Sequence, residues 1–306
     1  MRFSILATLF AAIVPGLALP SPLKARDVPS DELSQFKLWV QYAAASYCEA
    51  NYAGQVGAKL GCWAGNCPQV EAADTKIVYD FSSTTATDTA GYIAVDNTNK
   101  AVILAFRGSY SVRNWIADVE FPYTDPGLCD GCEAEFGFWS SWAVVRDDIM
   151  KSLNEVISAN SDYKLIVVGH SLGAGVATLA AADIRGRGHP SAKLYAYASP
   201  RVANPALAKF ITDQNNNYRF THTNDPVPKL PLIAMGYVHV SQEYYITSGN
   251  NVTVTTGDIQ VLDGEINLQG NTQTGIPTIE AFSAHHWYFE RADGCIGLGI
   301  PWKRSH

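Results

Sequence analysis

Tyr163-Lys164-Leu165-Ile166-Val167-Val168-Gly169-His170-Ser171-Leu172-Gly173-Ala174-Gly175-Val176-Ala177-Thr178-Leu179 is the stretch whose reading decides the fold. Leu165 to Val168 is a short, apolar, β-branched run, as expected of a strand buried on both faces. Gly169-His170-Ser171-Leu172-Gly173 follows as a G-x-S-x-G pattern, and Val176, Leu179, Ala180 and Ile184 then recur at helical spacing. Strand, sharp turn and helix in that order make the five residues a nucleophile elbow. The pattern predicts a strained turn with the Ser171 hydroxyl exposed, and glycines at 169 and 173 because side chains there would collide with strand and helix. The amide N–H groups at the start of the helix would face a developing oxyanion. A plain strand-to-helix turn without chemistry is the alternative, so the rest of the chain has to supply a base.

Working outward, a 306-residue chain that is 47% hydrophobic and 17% charged can bury a large core. The N-terminus stands apart from it. Arg2, an apolar run from Phe3 to Val14 and the small residues Gly16-Leu17-Ala18 read as a secretory signal peptide over 1–18, too short for a membrane span. Residues 19–26 read as a pro-segment ending at Arg26, and 27–306 as one domain. Residues 1–26 carry three basic side chains and no acidic one, so processing would move the net charge from −7 to about −10. That balance argues against nucleic acid and against electrostatic docking on anionic membranes. Six cysteines in a secreted chain suggest three disulfides. Cys62 with Cys67, and Cys129 with Cys132, can each close a local loop, which by exclusion pairs Cys48 with Cys295. A zinc site built from the two close pairs is the rival, disfavoured by secretion.

Ser30 is expected to cap a long helix whose buried stripe is Leu33, Phe36, Trp39, Val40, Ala43 and Tyr47. Strands are expected over 76–81, 89–96 and 101–107. An amphipathic segment follows, with Val112, Trp115, Ile116 and Val119 on one face, and then a long helix from Phe138 through Ile157. After the elbow come a strand over 193–198, a helix over 206–211, a strand over 218–221, a hairpin-like region over 238–261 and a polar loop over 264–277. Strands alternating with helices around a central apolar strand give an α/β class with a mostly parallel sheet.

A serine nucleophile needs a base, and an acid to orient that base. Asp225 lies just beyond the 218–221 strand, where a sheet of this kind presents functional groups; a turn-forming role is the alternative. Of the histidines after it, His306 is terminal and His239 falls within an expected strand. His285 and His286 are left as candidates for the base, and residue chemistry alone does not choose between them. His170, the variable residue of the elbow, is read as structural.

Phe106-Arg107-Gly108-Ser109, Asn114-Trp115, the elbow, Pro200-Arg201-Val202, Thr221-His222-Thr223-Asn224-Asp225 and Ala284-His285-His286-Trp287-Tyr288-Phe289 together resemble secreted filamentous-fungal triacylglycerol lipases of the Rhizomucor and Thermomyces type. These belong to the lipase class 3 family, with an α/β-hydrolase fold. The resemblance implies a triad of Ser171, Asp225 and His285 and the disulfide pairing given above. It also implies oxyanion donors from Ser109 and from the N–H of Leu172. It further implies a lid over 111–119 bearing Val112, Trp115, Ile116 and Val119, with Tyr47, Phe138, Val227 and Leu230 along an acyl groove near the oxyanion hole. The activity it implies is ester cleavage in acylglycerols at an oil–water interface, without cofactor, metal or stable membrane insertion; no oligomeric state is assigned. Phospholipase A1 and feruloyl esterase share the fold, although the apolar face of the 111–119 segment points away from a feruloyl esterase. A silent hydrolase fold acting as a binding protein is the rival from another class. Asn251-Val252-Thr253 is a glycosylation sequon in an expected surface hairpin.

Overall fold

The computed structural model of the chain describes residues 27–82, 88–110, 112 and 121–296. The expected signal peptide and pro-segment, and the lid positions Trp115, Ile116 and Val119, lie outside the described residues. Helices α1 (Ser30–Ala45) and α2 (Pro68–Ala72) precede strands β1 (Thr75–Ser82), β2 (Ala90–Asp96) and β3 (Ala101–Phe106). A small ladder of β4 (Tyr123–Thr124) and β5 (Ala134–Glu135) leads into the long helix α3 (Phe136–Ala159), and then into β6 (Lys164–His170) and α4 (Leu172–Gly186). Strand β7 (Lys193–Tyr197), helix α5 (Pro205–Asp213) and strands β8 (Asn217–His222), β9 (Glu243–Ile246) and β10 (Ile259–Leu262) follow, and the hairpin β11 (Trp287–Tyr288)–β12 (Glu290–Arg291) comes last.

Eight strands form one sheet in the order β1-β2-β3-β6-β7-β8-β9-β10. The five from β3 to β9 are parallel, and both edges are finished by antiparallel pairs. Alternation within β6 sets the layers. Ile166 and Val168 pack into a core with Phe36, Trp39 and Tyr42 of α1, while Leu165 and Val167 point to the other face and meet Trp142, Ile149 and Leu153 of α3 and Leu179 of α4. The sheet is therefore covered on both faces, which is why its central strands read as continuous apolar runs.

Three local expectations are corrected. Ser30 is the first helical residue and Pro29 occupies the N-cap without a side-chain bond; Pro is well placed at a helix start because it has no N–H to leave unpaired. His239 is not in a strand: only Val238 bridges, to Ala203, before the chain turns into β9. The polar stretch before His285 is not a plain loop, since it winds into 3₁₀ turns at Gly270–Thr274 and Ile279–His286.

The parallel register brings three strand ends to one edge. Phe106 pairs with Gly169, so the residues leaving β3 and those leaving β6 emerge side by side, and β8 delivers the 223–225 loop two strands away. Functional groups collect at such carboxyl ends in open α/β sheets.

Candidate active site

Ser171 joins β6 to α4 with φ 60° and ψ −133°. A non-glycine residue there costs about 1–3 kcal/mol and persists only where the surroundings impose it. They do. A Cβ on Gly169 would lie 2.4 Å from the Gly173 carbonyl oxygen, and one on Gly173 would lie 2.4 Å from the Phe106 carbonyl oxygen. Strand, elbow and helix are thus packed backbone to backbone, which fixes where the Ser171 side chain points. The hydroxyl is not exposed as expected. Ser171 is fully buried (0%), and an apolar cluster of Val112, Val227 and Phe282, with Leu172 packed on it, lies beside it.

His285 Nε2 lies 2.8 Å from Ser171 Oγ, and its Nδ1 lies 3.0 Å from each carboxylate oxygen of Asp225. With Nδ1–H donating to Asp225, Nε2 is left as the acceptor for the serine proton. Asp225 is completely buried and also accepts from Tyr288 Oη at 2.6 Å and from the Val227 N–H at 2.9 Å. Burial pushes its carboxyl up, but His285, Tyr288 and that N–H outweigh it and hold the group below the usual carboxylate range. An ionised acid, an oriented imidazole and a hydroxyl in line can generate an alkoxide-like nucleophile and return the proton to a leaving group. His286 is turned elsewhere and pairs with Asp293, while His239 faces the Pro228 carbonyl at 2.7 Å.

Comparison with known families places the chain as a whole. The family described as "Lipase (class 3)" matches residues 103–235, and the "Lipase 3 N-terminal region" matches residues 2–79. The chain is 66% identical over 304 residues to secreted mono- and diacylglycerol lipase A of Penicillium cyclopium, spanning 99% of this chain and 100% of that one. The chain belongs to the class 3 lipase family. It is 41% identical over 285 residues to secreted mono- and diacylglycerol lipase 1 of Fusarium solani, spanning 92% of this chain and 83% of that one. The solved mono- and diacylglycerol lipase of Aspergillus oryzae superposes with a TM-score of 0.85 at 61% identity, covering 87% of this chain and 100% of that chain. This lipase is therefore a secreted carboxylic ester hydrolase of acylglycerols on the α/β-hydrolase fold. Among its described residues no helix is long and apolar enough to cross a membrane.

The remaining expected positions separate. In the lipase, Gly108, the residue before Ser109, packs so closely on the elbow that a Cβ there would lie 2.8 Å from the His170 carbonyl oxygen. Leu172 opens α4, so its N–H has no carbonyl within the helix. Of the four groove positions only Val227 joins the apolar cluster beside Ser171. Tyr47 is buried in the α1-side core with its hydroxyl 2.8 Å from His170 Nδ1, and Phe138 packs in the α3-side core, where a Cβ on Gly175 would lie 3.1 Å from its ring. Leu230 is buried outside that cluster, and its carbonyl accepts from the Arg201 N–H. The pairs Cys48–Cys295, Cys62–Cys67 and Cys129–Cys132 are disulfides, as the chain's cysteine spacing suggested. Among the described residues the one ligand-like grouping, Cys48, Cys62 and Cys295, consists of sulfurs already bonded in these disulfides and offers no thiolate.

Residues to which sequence reasoning assigned no chemical role hold the base and the acid in place, His170 among them in the structural part expected of it. His170 Nε2 is 2.9 Å from the His285 carbonyl, and His222 Nδ1 is 3.0 Å from the Ala284 carbonyl. Asn271 Nδ2 donates to the carbonyls of Thr223 (3.1 Å) and Asp225 (2.9 Å), while its own N–H donates to Glu243. Phe282 lies with its ring 5.0 Å from that of His285. Tyr288 was visible as an aromatic three residues beyond His285. Nothing in the composition of the 264–277 stretch singled out Asn271.

Proposed function

We propose that Ser171 attacks the acyl carbonyl of a mono- or diacylglycerol, with His285 as general base and Asp225 holding the imidazole and stabilising its cation. The N–H groups of Ser109 and Leu172, with the Ser109 hydroxyl, hold the oxyanion. His285 then protonates the leaving alcohol, and water releases the fatty acid from the Ser171 ester. The observation that carries this reading is the 2.8 Å approach of His285 Nε2 to Ser171 Oγ together with the Nδ1–Asp225 pair. The names of the Penicillium, Fusarium and Aspergillus relatives favour mono- and diacylglycerols over triacylglycerols.

Because Ser171 is buried, substrate has to displace the apolar residues beside it. A lipid–water interface supplies the apolar surroundings that make this displacement favourable. In the same reading the 111–119 segment acts as the lid, and Asn251, exposed in its loop, carries an N-linked glycan.

The test is Ser171→Ala assayed on emulsified mono-, di- and triacylglycerol, with phosphatidylcholine and methyl ferulate alongside. The expected result is rapid cleavage of the first two by the parent enzyme and a loss of at least about 10³-fold in the variant, with the melting temperature retained. Substantial residual hydrolysis by Ser171→Ala would refute the assignment of the nucleophile, and a parent preference for ferulate or phospholipid would refute the substrate class.

A further inference from the structure

Arg107 belongs to the Phe106-Arg107-Gly108-Ser109 motif, of which the chemistry above uses Ser109 but gives Arg107 no part. It lies between β3 and Ser109 and is 9% exposed. Its guanidinium is held from three sides. Nη2 donates to the Asp88 carbonyl at 2.8 Å and to Asp88 Oδ2 at 2.7 Å, and Nη1 donates to Tyr52 Oη at 3.2 Å. The cation also sits over the rings of Tyr110 and Tyr52, at 4.6 and 5.3 Å, whose hydroxyls are 2.7 Å apart. Its N–H is tied to the Ala90 carbonyl of β2 at 2.8 Å. The Nε–H donates to the carbonyl oxygen of Gly108 at 3.2 Å.

We infer that Arg107 is a positioning residue for the oxyanion hole: it fixes the plane of the Gly108–Ser109 peptide, whose N–H is the donor assigned to Ser109. The inference rests on that assignment and adds to it what holds the donor in place. A trans peptide is rigid and planar, so the Gly108 carbonyl and the Ser109 N–H point in opposite directions from one plate. Holding the carbonyl therefore aims the N–H. Position 108 needs glycine, because a Cβ would lie 2.0 Å from Tyr47 Oη and 2.8 Å from the His170 carbonyl oxygen. Glycine, however, leaves the peptide planes on either side free to rotate, so the space requirement creates an orientational problem. Arg107 resolves it by gripping the carbonyl on one side of Ser109 and the Tyr110 ring on the other. A charged donor on the carbonyl also polarises the same amide and strengthens its N–H as a donor. A lysine ammonium could serve the carbonyl or Asp88, but it lacks the planar fork that serves both together with Tyr52.

The test uses Arg107→Gln and Arg107→Lys in the full chain, on a short-chain p-nitrophenyl ester kept below its solubility limit so that no interface enters. Active sites are counted by end-point titration with a serine-directed phosphonate, and melting temperatures are recorded. Removing an oxyanion donor outright costs about 10²–10³ in kcat, so a donor left misaimed should lower kcat per titrated site by about 10–10²-fold. KM should stay within about twofold, because the interaction is made in the transition state. The lysine variant should recover part of the loss. An unchanged kcat per titrated site in the folded variants, with only the melting temperature or the titratable fraction reduced, would mean that Arg107 merely stabilises the fold and would overturn the inference. Should Arg107→Gln not fold, the same comparison on Arg107→Lys decides. Ser171→Ala run in parallel separates the two failures: an inactive Ser171→Ala beside unchanged Arg107 variants discards the positioning role alone, whereas an active one discards the nucleophile with it.

Discussion

At the scale of single residues, the base depends on a histidine that does no chemistry. His170 is fully enclosed, with Nε2 donating to the His285 carbonyl and Nδ1 accepting from Tyr47 Oη, so both ring nitrogens are satisfied in the neutral form. Burial, together with the nearby His285, pulls its pKa from 6.5 down to about 3. The unfolded chain then binds a proton at this position that the folded one refuses. Stability attributable to His170 is complete above pH 6.5, is lost as the pH falls below it, and levels off near pH 3. Each unit in that window is worth about 1.4 kcal/mol, so the loss between pH 7 and 4.5 is on the order of 3 kcal/mol. His170→Gln keeps an amide donor for the carbonyl and cannot titrate. Urea unfolding at the two pH values should show the variant losing markedly less stability on acidification than the parent; equal losses would remove His170 as the cause. His239, also buried and held well below its ordinary pKa first by burial and then by Arg219 and Arg201, adds to the acid sensitivity in the same direction.

At the scale of elements, the elbow is a contact between three backbones. Gly173 in α4 touches the Phe106 and Arg107 carbonyl groups at the end of β3, where neither partner can yield as a flexible side chain would. Gly173→Ala should force helix from strand, lower stability by about 3 kcal/mol or more, and abolish phosphonate labelling of Ser171. Gly186 closes the same helix with nothing within 4 Å of a built Cβ. There, alanine should raise stability, by up to about 1 kcal/mol, through its better helix propensity. Thermal melts of the two variants therefore move in opposite directions. The contrast was legible in part from the G-x-S-x-G pattern, which marked Gly173 as sterically required. That Gly186 is free to change follows only from the open space around it.

At the scale of the molecule, the Cys48–Cys295 disulfide joins the end of α1 to the last described turn across 247 residues of chain. Closing so long a loop removes far more freedom from the unfolded chain than closing loops of 5 or 3 residues, as Cys62–Cys67 and Cys129–Cys132 do. The chain-entropy argument gives about 5 kcal/mol for the first and about 2 kcal/mol for each of the others. Replacing each pair by alanines should rank the melting temperatures accordingly, with the Cys48/Cys295 variant lowest. This bridge also ties down the segment that follows the base. His285, Tyr288 and Asp293 all lie within the last dozen or so residues before it, so its loss should lower activity before the sheet itself melts.

Local patterning along the chain was enough to determine the covalent and periodic features. The apolar run of β6, the helical spacing of α3 and α4, the glycines of the elbow and the pairing of cysteines all depend on near neighbours or on simple counting. The acid and nucleophile candidates followed from their places after strands. Residue chemistry left His285 and His286 equal and the family resemblance pointed to His285; the fold gives the physical reason, because one ring meets Asp225 and Ser171 while its neighbour points to Asp293. The burial of Ser171, the clasp of Asn271 on the acid loop and the grip of Arg107 on the Gly108 carbonyl were likewise decided in three dimensions. Each depends on groups brought together from distant parts of the chain or on the direction of a single peptide plane, and neither quantity has a period that a sequence can display.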